Sequence, residues 1–110
     1  MDTETIQSES ERIAELNDTF RQNPVGYMYT MGVAALNQWL LCEIVTQIQE
    51  YSNFTKDNDP YGEHDFGSLK IQGHKIFWKI DYYDAQMKHG SEPLDLDCRR
   101  ILTVMLAEEY

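Results

Sequence analysis

The segment Ser68–Tyr83, SLKIQGHKIFWKIDYY, decides the fold of this 110-residue chain. Apolar and polar side chains alternate on either side of Gln72-Gly73, a pair that suits a two-residue hairpin turn. The pattern predicts two antiparallel strands in which Leu69 lies opposite Ile76, because the turn fixes the register. One face of the hairpin then carries a continuous apolar patch, formed by Leu69, Ile71, Ile76, Trp78 and Ile80.

Two helices are predicted upstream of the hairpin, where they can cover this patch. Ser8-Glu-Ser-Glu11 has the form of a capping box and precedes apolar residues at helical spacing, which predicts a first helix over residues 8–21. Asn23-Pro24 ends that helix, and residues 25–31 favour a short strand. The chain then enters a second helix that should end near residues 51–53. This helix carries a broad apolar stripe, formed by Val33, Leu36, Leu40, Ile44 and Ile48.

Residues 99–107, RRILTVMLA, alternate in polarity and favour a final strand, with a C-terminal helix as the alternative. Together these elements predict a single α+β domain over residues 1–110, with residues 1–7 frayed. Its two layers are two N-terminal helices, with a short strand between them, packed on an antiparallel sheet of about four strands. Cys42 falls within the apolar pattern of the second helix, where we expect a buried free thiol.

The chain carries 9 basic and 19 acidic side chains, which give a formal net charge of −10. Such a charge repels nucleic acid and anionic membrane surfaces and steers the protein toward a basic partner. No apolar run is long enough to span a bilayer, and the N-terminal residues lack the pattern of a signal peptide. We therefore expect a cytoplasmic protein that binds neither nucleic acid nor membrane directly.

A first acidic loop, residues 56–66, contains most of the motif DNDPYGEHDFG. A calcium loop of the EF-hand type is disfavoured. Tyr61 stands at position 5 of the loop, where it supplies no carboxylate, and Ser68 stands at position 12 in place of the bidentate glutamate. A transition-metal site is disfavoured, because adjacent residues of an extended chain face opposite sides and no HxH or HExxH pattern is present. We expect no metal, no cofactor and no catalytic residue. The alternative is a small hydrolase or metal-binding enzyme, centred on Glu63, His64 and Asp65 with Asp81.

The loop also has a purely structural interpretation. Asp59 precedes a proline and is a typical turn former, because its short side chain accepts hydrogen bonds from nearby backbone N–H groups. Tyr61 and Phe66 would then hold the loop against the domain. His64 and Asp65 would satisfy backbone groups at the ends of elements or pair with Lys79 or Arg99.

Six phrases, which together span roughly residues 12–110, resemble a known family: RIAELNDTFR at 12–21, TMGVAAL at 30–36, FTKDNDPYGEHDFGSL at 54–69, IFWKIDYYD at 76–84, GSEPLD at 90–95 and ILTVMLAEEY at 101–110. The family is catalogued as domain of unknown function 3768 and consists of small proteins of proteobacterial chromosomes and plasmids. The resemblance implies a compact cytosolic bacterial domain and carries no known activity. The family-like positions are Asp59, Tyr61, Gly62, Glu63, His64, Asp65, Phe66, Asp81, Tyr82, Tyr83 and Asp84.

A second acidic loop, residues 84–98, adds further carboxylates, and we expect the acidic groups to form a rigid array that binds a basic protein. The array would occupy a groove built for nucleic acid. Because the family resemblance points to mobile elements, the favoured function is antagonism of a nucleic-acid-binding or defence protein, of the anti-restriction or anti-CRISPR kind. A structural homodimer is a third hypothesis. The predicted protein-binding residues are Asp57, Asp59, Glu63, Asp65, Asp81, Asp84, Glu92, Asp95 and Asp97.

Overall fold

The fold is α+β, as predicted, with helices and a four-stranded sheet that share one core. A computed structural model describes residues 7–110, so the predicted fraying of residues 1–7 lies, for residues 1–6, outside the described residues. The helices and strands are α1 (Glu9–Arg21), β1 (Tyr27–Tyr29), α2 (Met31–Ala34), α3 (Gln38–Gln49), β2 (Phe66–Ile71), β3 (His74–Tyr83) and β4 (Arg99–Leu106). Among residues 7–110, no helix combines the length and the apolar character needed to cross a membrane.

Helix α1 begins at the predicted capping box. The Ser8 hydroxyl accepts a hydrogen bond from Glu11 N at 3.2 Å, and the Glu11 carboxylate accepts one from Ser8 N at 2.9 Å. These two bonds satisfy backbone donors that the first turn of a helix leaves free. The start of α1 is therefore fixed by local sequence.

The four strands lie in the order β1-β4-β3-β2. Strands β2 and β3 form the predicted hairpin, with Leu69 opposite Ile76. Strand β4 is antiparallel to β3, so the helical alternative for this segment is wrong. The sheet is mixed rather than wholly antiparallel, since β1 pairs in parallel with β4, with Tyr27 beside Leu102. A parallel pair needs a long connection, which α2, α3 and the hairpin provide.

The core lies between α3 and the sheet, and the fully buried Trp78 is part of it. Helix α3 contributes Ile44 and Ile48, which are also fully buried. Gly67 lies opposite Trp78, and a Cβ atom there would be 2.4 Å from the indole Nε1. The bare backbone of Gly67 therefore makes room for an indole whose loss would cost about 3 to 5 kcal/mol.

Two predicted elements are interrupted where an asparagine side chain caps a new turn. The strand expected over residues 25–31 is reduced to β1, since Asn23 Oδ1 accepts a hydrogen bond from Val25 N at 3.3 Å and begins a short 3-10 helix. The single second helix is divided into α2 and α3, since Asn37 Oδ1 accepts one from Leu40 N at 2.9 Å. Such side-chain bonds compete with the continuation of a regular element.

Cys42 is exposed, which corrects the prediction of a buried thiol. Helix α3 buries Leu40, Ile44 and Ile48, and two residues of an α-helix turn through about 200°, so Cys42 faces away from the core. The same helix leaves Trp39 86% exposed. The apolar stripe of α3 that faces the core therefore excludes both Cys42 and Trp39.

Candidate functional site

The first acidic loop is built around the carboxylate of Asp59, a residue that is only 9% exposed. This carboxylate accepts hydrogen bonds from the backbone N–H of Glu63 at 3.2 Å and of His64 at 3.3 Å. Gly62 has a φ of +68° and His64 a φ of +57°, so the chain turns sharply through left-handed backbone. Asp59 is thus a turn former, as predicted, and its carboxylate binds the loop itself.

Helix α1 holds the loop through the imidazole of His64. The His64 Nδ1 lies 2.9 Å from Asp18 Oδ1, which in turn lies 2.8 Å from Arg21 Nη1. The imidazole stacks on Phe54, with ring centroids 3.9 Å apart and planes 3° from parallel. The loop is therefore fixed to α1 on one side and to an aromatic ring on the other.

Two details of the structural interpretation are wrong. His64 pairs with a carboxylate of α1 rather than with Lys79 or Arg99. Lys79 Nζ instead lies 3.1 Å from Asp81 Oδ2, because residues two apart on a strand share a face. Tyr61 is 79% exposed and does not hold the loop against the domain, since the turn that follows leaves it in solvent.

Arg21 is a buried cation that the sequence did not single out. Its Nε donates to the Ile48 carbonyl at 3.0 Å and its Nη2 to the Tyr51 carbonyl at 3.1 Å. Arginine near a helix C-terminus satisfies carbonyl groups that the last turn leaves free. The partners lie 27 and 30 residues further along the chain, so no local pattern reveals the contact.

Glu63 and Asp65 form a half-buried acidic pair. Burial raises the pKa of Glu63, and the charges of Asp65 and Asp59 raise it further. Burial also raises the pKa of Asp65 against the opposing effect of a backbone hydrogen bond, and the charges of Asp59 and Asp81 add to the rise. In the described part of the chain, neither carboxylate of the pair has an ion-pair partner. A cation placed beside them would therefore offset the repulsion between the carboxylates and lower both pKa values.

A polar network behind the acidic pair connects α1 to strands β3 and β4. The fully buried Asn17 donates to the Glu63 carbonyl at 2.9 Å and to the Tyr82 hydroxyl at 2.8 Å, and it accepts from Arg100 Nε at 2.6 Å. The Arg100 guanidinium lies over the Tyr82 ring, 5.2 Å from its centroid. Burial raises the pKa of Tyr82 to about 12. Tyr82 therefore belongs to the framework of the site.

The other predicted binding residues lie in the two acidic loops. Asp57 is exposed in the first loop. Asp84 accepts a hydrogen bond from Lys88 N at 3.0 Å, and this bond lowers the pKa of the Asp84 carboxyl. Glu9 of α1 lines a groove of about 300 Å³ with residues of the second loop, Glu92 among them. The exposed carboxylates of the second loop are Glu92, Asp95 and Asp97.

Helix α1 presents a row of carboxylates next to the first loop. Glu11, Glu15 and Asp18 recur at helical spacing and so lie along one side of α1. Together with Gly62 and His64 they line a groove of about 280 Å³. The acidic face denotes the two exposed carboxylates of this groove, Glu11 and Glu15, together with the loop pair Glu63 and Asp65, which does not itself line the groove.

The two grooves that His64 borders are not lined by Glu63, Asp65 or Asp81, the other residues of the enzyme hypothesis. His64 borders a second groove of about 370 Å³ with Phe54, Lys56 and Tyr61. Among residues 7–110, no three His, Cys, Asp or Glu side chains are grouped so that they could hold a metal ion.

Residues 29–109 match the family model described as Protein of unknown function (DUF3768). The match includes both acidic loops and strands β2, β3 and β4, whereas Asn17, Asp18 and Arg21 of α1 precede it. No curated protein and no solved structure matches the chain. Since the match covers most of the sequence, the protein belongs to the DUF3768 family.

Proposed function

We propose that this protein binds a basic protein partner through the acidic face. The observation that carries the proposal is the half-buried pair Glu63 and Asp65, which has no ion-pair partner among residues 7–110. Lysine or arginine side chains of a partner would reduce the repulsion within this pair and form charge-assisted hydrogen bonds to it. The net charge of −10 would draw such a partner in from a distance.

The backbone of the first loop is already fixed for such binding. Asp59 holds the two N–H groups that precede Asp65, and Asn17 holds the Glu63 carbonyl. Stacking of His64 on Phe54 adds a further constraint. A preorganised loop loses little conformational entropy on association, so more of the electrostatic gain contributes to affinity.

For the partner, we favour a nucleic-acid-binding or defence protein whose basic groove the carboxylates occupy in place of phosphates. A row of fixed negative charges offers such a groove the same attraction that nucleic acid does, and this attraction falls as salt rises. Cys42 and Cys98 are both free, which agrees with an encounter in the reducing cytoplasm. The same charge disfavours direct binding to nucleic acid or to anionic membranes.

A peptide of nine arginines, labelled with a fluorophore, tests the acidic face directly. The double variant Glu63→Gln/Asp65→Asn should weaken its binding at low salt by roughly tenfold, since two charge-assisted contacts are lost. The matched control Glu43→Gln/Glu108→Gln removes the same charge from exposed sites elsewhere and should change binding much less. Equal losses in both doubles would mean that only the net charge matters, and the acidic face would then have no special role.

A small hydrolase is a second candidate, favoured by one observation. The His64 Nδ1 lies 2.9 Å from the Asp18 carboxylate, an arrangement that orients the imidazole of a general base, and His64 borders two grooves. Hydrolysis of p-nitrophenyl acetate is the simplest assay. His64→Gln should abolish any turnover above the rate of free imidazole, and turnover that survives this change would exclude His64 as the base.

A homodimer is a third candidate, favoured by apolar side chains near the sheet edge. Strand β1 is an edge strand, and Val25, Met28 and Met31 around it are exposed. Such surfaces often mark association sites. The dimer hypothesis can be tested by analytical ultracentrifugation of the wild type and of Met28→Lys. A dimer that uses this edge would dissociate in the variant.

A further inference from the structure

A groove of about 570 Å³ between the second half of α1 and the start of β4 differs in charge from the rest of the molecule. Arg99 and Arg100 line it, together with the apolar side chains of Leu16 and Phe20. Of the described residues that form its walls, none is acidic. In a protein with more than twice as many acidic as basic side chains, this is an unusual local excess of positive charge.

Arg100 is held rigidly in this groove without a counter-ion. Its guanidinium donates to Asn17 Oδ1 at 2.6 Å and to the Pro93 carbonyl at 2.8 Å, and its Nη1 lies 3.7 Å from Cys98 Sγ. None of these three partners is a carboxylate, and within residues 7–110 no carboxylate forms an ion pair with this arginine. A guanidinium has five N–H donors, so two remain available for a ligand.

We propose that this groove binds a small organic carboxylate, with its charged group on Arg100 and its apolar body against Leu16 and Phe20. The hydrogen bonds of Arg100 and its contact with the Tyr82 ring already orient its guanidinium. The planar guanidinium can therefore donate two hydrogen bonds to the two oxygens of a carboxylate. Arg99 adds a second positive charge at the same groove.

The net negative charge of the whole protein favours a small ligand over an acidic macromolecule at this groove. Repulsion by the net charge of −10 increases with every negative charge a ligand carries, so nucleic acid or an acidic peptide would be repelled strongly. A ligand with one carboxylate meets that repulsion only once. The groove volume also falls within the range of small-molecule sites, roughly 300 to 1,000 Å³.

Titration of the full chain with 4-phenylbutanoate, followed by amide chemical shifts, tests the proposal. Saturable shifts should appear in the second half of α1 and around residues 98–100, and 4-phenylbutan-1-ol, which lacks the charge, should bind roughly tenfold more weakly. Thr19 is exposed and lines the groove, so it offers a matched pair of variants that leaves the Arg100 contacts in place. Thr19→Asp should weaken binding roughly fivefold relative to Thr19→Asn, since it adds a negative charge beside the ligand.

Arg100→Lys sharpens the test, because it keeps the charge and removes the planar fork. Weaker binding by this variant with an unchanged amide spectrum elsewhere would support edge-on recognition. If Arg100→Lys fails to fold, the two Thr19 variants still decide. Equal binding of alcohol and carboxylate, equal affinity of the Thr19 variants, an absence of saturable shifts, or tighter binding of a nona-glutamate peptide would each overturn the proposal.

Discussion

The two acidic loops are similar in composition but differ in what holds them in place. In the first loop, side chains do this work: the Asp59 carboxylate binds two backbone N–H groups, and His64 contacts Asp18. The second loop relies mainly on backbone bonds, such as Asp84 N to the His89 carbonyl at 2.8 Å and Cys98 N to the Asp95 carbonyl at 3.1 Å.

The difference shows that acidic composition alone does not assign a role to a carboxylate. Asp59 is buried and structural, Glu63 and Asp65 are half-buried beside it, and Asp95 and Asp97 are exposed. The first loop therefore places two neighbouring carboxylates where solvent cannot fully screen their charge, whereas the second loop has one partly buried carboxylate, that of Asp84. The comparison predicts that equivalent substitutions in the two loops will have unequal effects.

Removal of one carboxylate from each loop should give the largest contrast. Asp59→Ala leaves two N–H groups of the loop without their acceptor and should lower the free energy of unfolding by about 3 kcal/mol. Asp95→Ala, at an exposed position, should change it by less than about 0.5 kcal/mol. Urea unfolding of both variants measures the difference, and equal values would show that the first loop does not depend on Asp59.

One glycine in each loop gives the next contrast. Gly62 has positive φ with open space around it, so Gly62→Val should cost about 2 kcal/mol through backbone strain alone. Gly90 has ordinary backbone, and a Cβ atom there would lie 3.9 Å from the Tyr82 carbonyl oxygen, so Gly90→Val should be nearly neutral. Thermal unfolding measures both, and an unchanged melting temperature for Gly62→Val would mean that the first loop is free to relax.

Acidification should change the contributions of the two loops to the free energy of unfolding in opposite directions. These changes should be smaller than the effect of Gly62→Val. Folding raises the pKa of Glu63 and Asp65, so their charged forms destabilise the protein above the folded pKa, and this penalty is relieved as pH falls toward the unfolded value. Folding lowers the pKa of Asp84, so its contribution is present above the unfolded pKa and is lost as pH falls through the folded value.

Unfolding free energies at neutral pH and well below pH 4 therefore separate the two loops, since ordinary carboxyl pKa values are about 4 and the pKa of Asp84 is lower than that. Glu63→Gln/Asp65→Asn should be more stable than the wild type at neutral pH and should lose this advantage on acidification. Asp84→Asn should have a lower free energy of unfolding than the wild type at neutral pH. This difference should disappear on acidification. The double variant would also gain stability while it loses the binding proposed above, which is typical of a functional site. If both variants differed from the wild type in unfolding free energy with the same sign at neutral pH, the predicted contrast between the loops would be wrong.

The exposed tips of the two loops should give the smallest effect. Tyr61 and Leu96 are both exposed apolar residues, so Tyr61→Ala and Leu96→Ala should each change stability by less than about 0.5 kcal/mol. Differential scanning calorimetry is sensitive enough to check this. A larger loss for Tyr61→Ala would show that the first loop packs more tightly in solution than the structure indicates.

Local patterns predicted the parts of the fold that local chemistry controls. The hairpin register follows from a two-residue turn, and the start of α1 follows from the capping box. The division of α2 from α3 does not follow from the apolar stripe, because Asn37 lies inside a stripe that by itself predicts one helix. The only local sign of the division is Asn37 itself, since asparagine favours the N-cap position of a helix.

The site depends on contacts that no local pattern contains. Asp18 and His64 are 46 residues apart, as are Asn17 and Glu63, so their pairing is set by the packing of α1 rather than by the motif. The sequence predicted that Asp59 would form a turn, because that role needs only its neighbours. The basic groove brings together residues of α1 and β4, which are far apart in the chain, and the net charge offered no indication of it.

The different surroundings of the two tryptophans give the molecule two built-in optical reporters. Trp78 is enclosed by the core, and Trp39 stands in solvent on the outer side of α3. Iodide will therefore quench the red-shifted emission of Trp39 and leave the blue-shifted emission of Trp78 intact while the fold persists. Loss of the core and occupation of the outer surface of α3 can thus be followed separately in a single unlabelled sample.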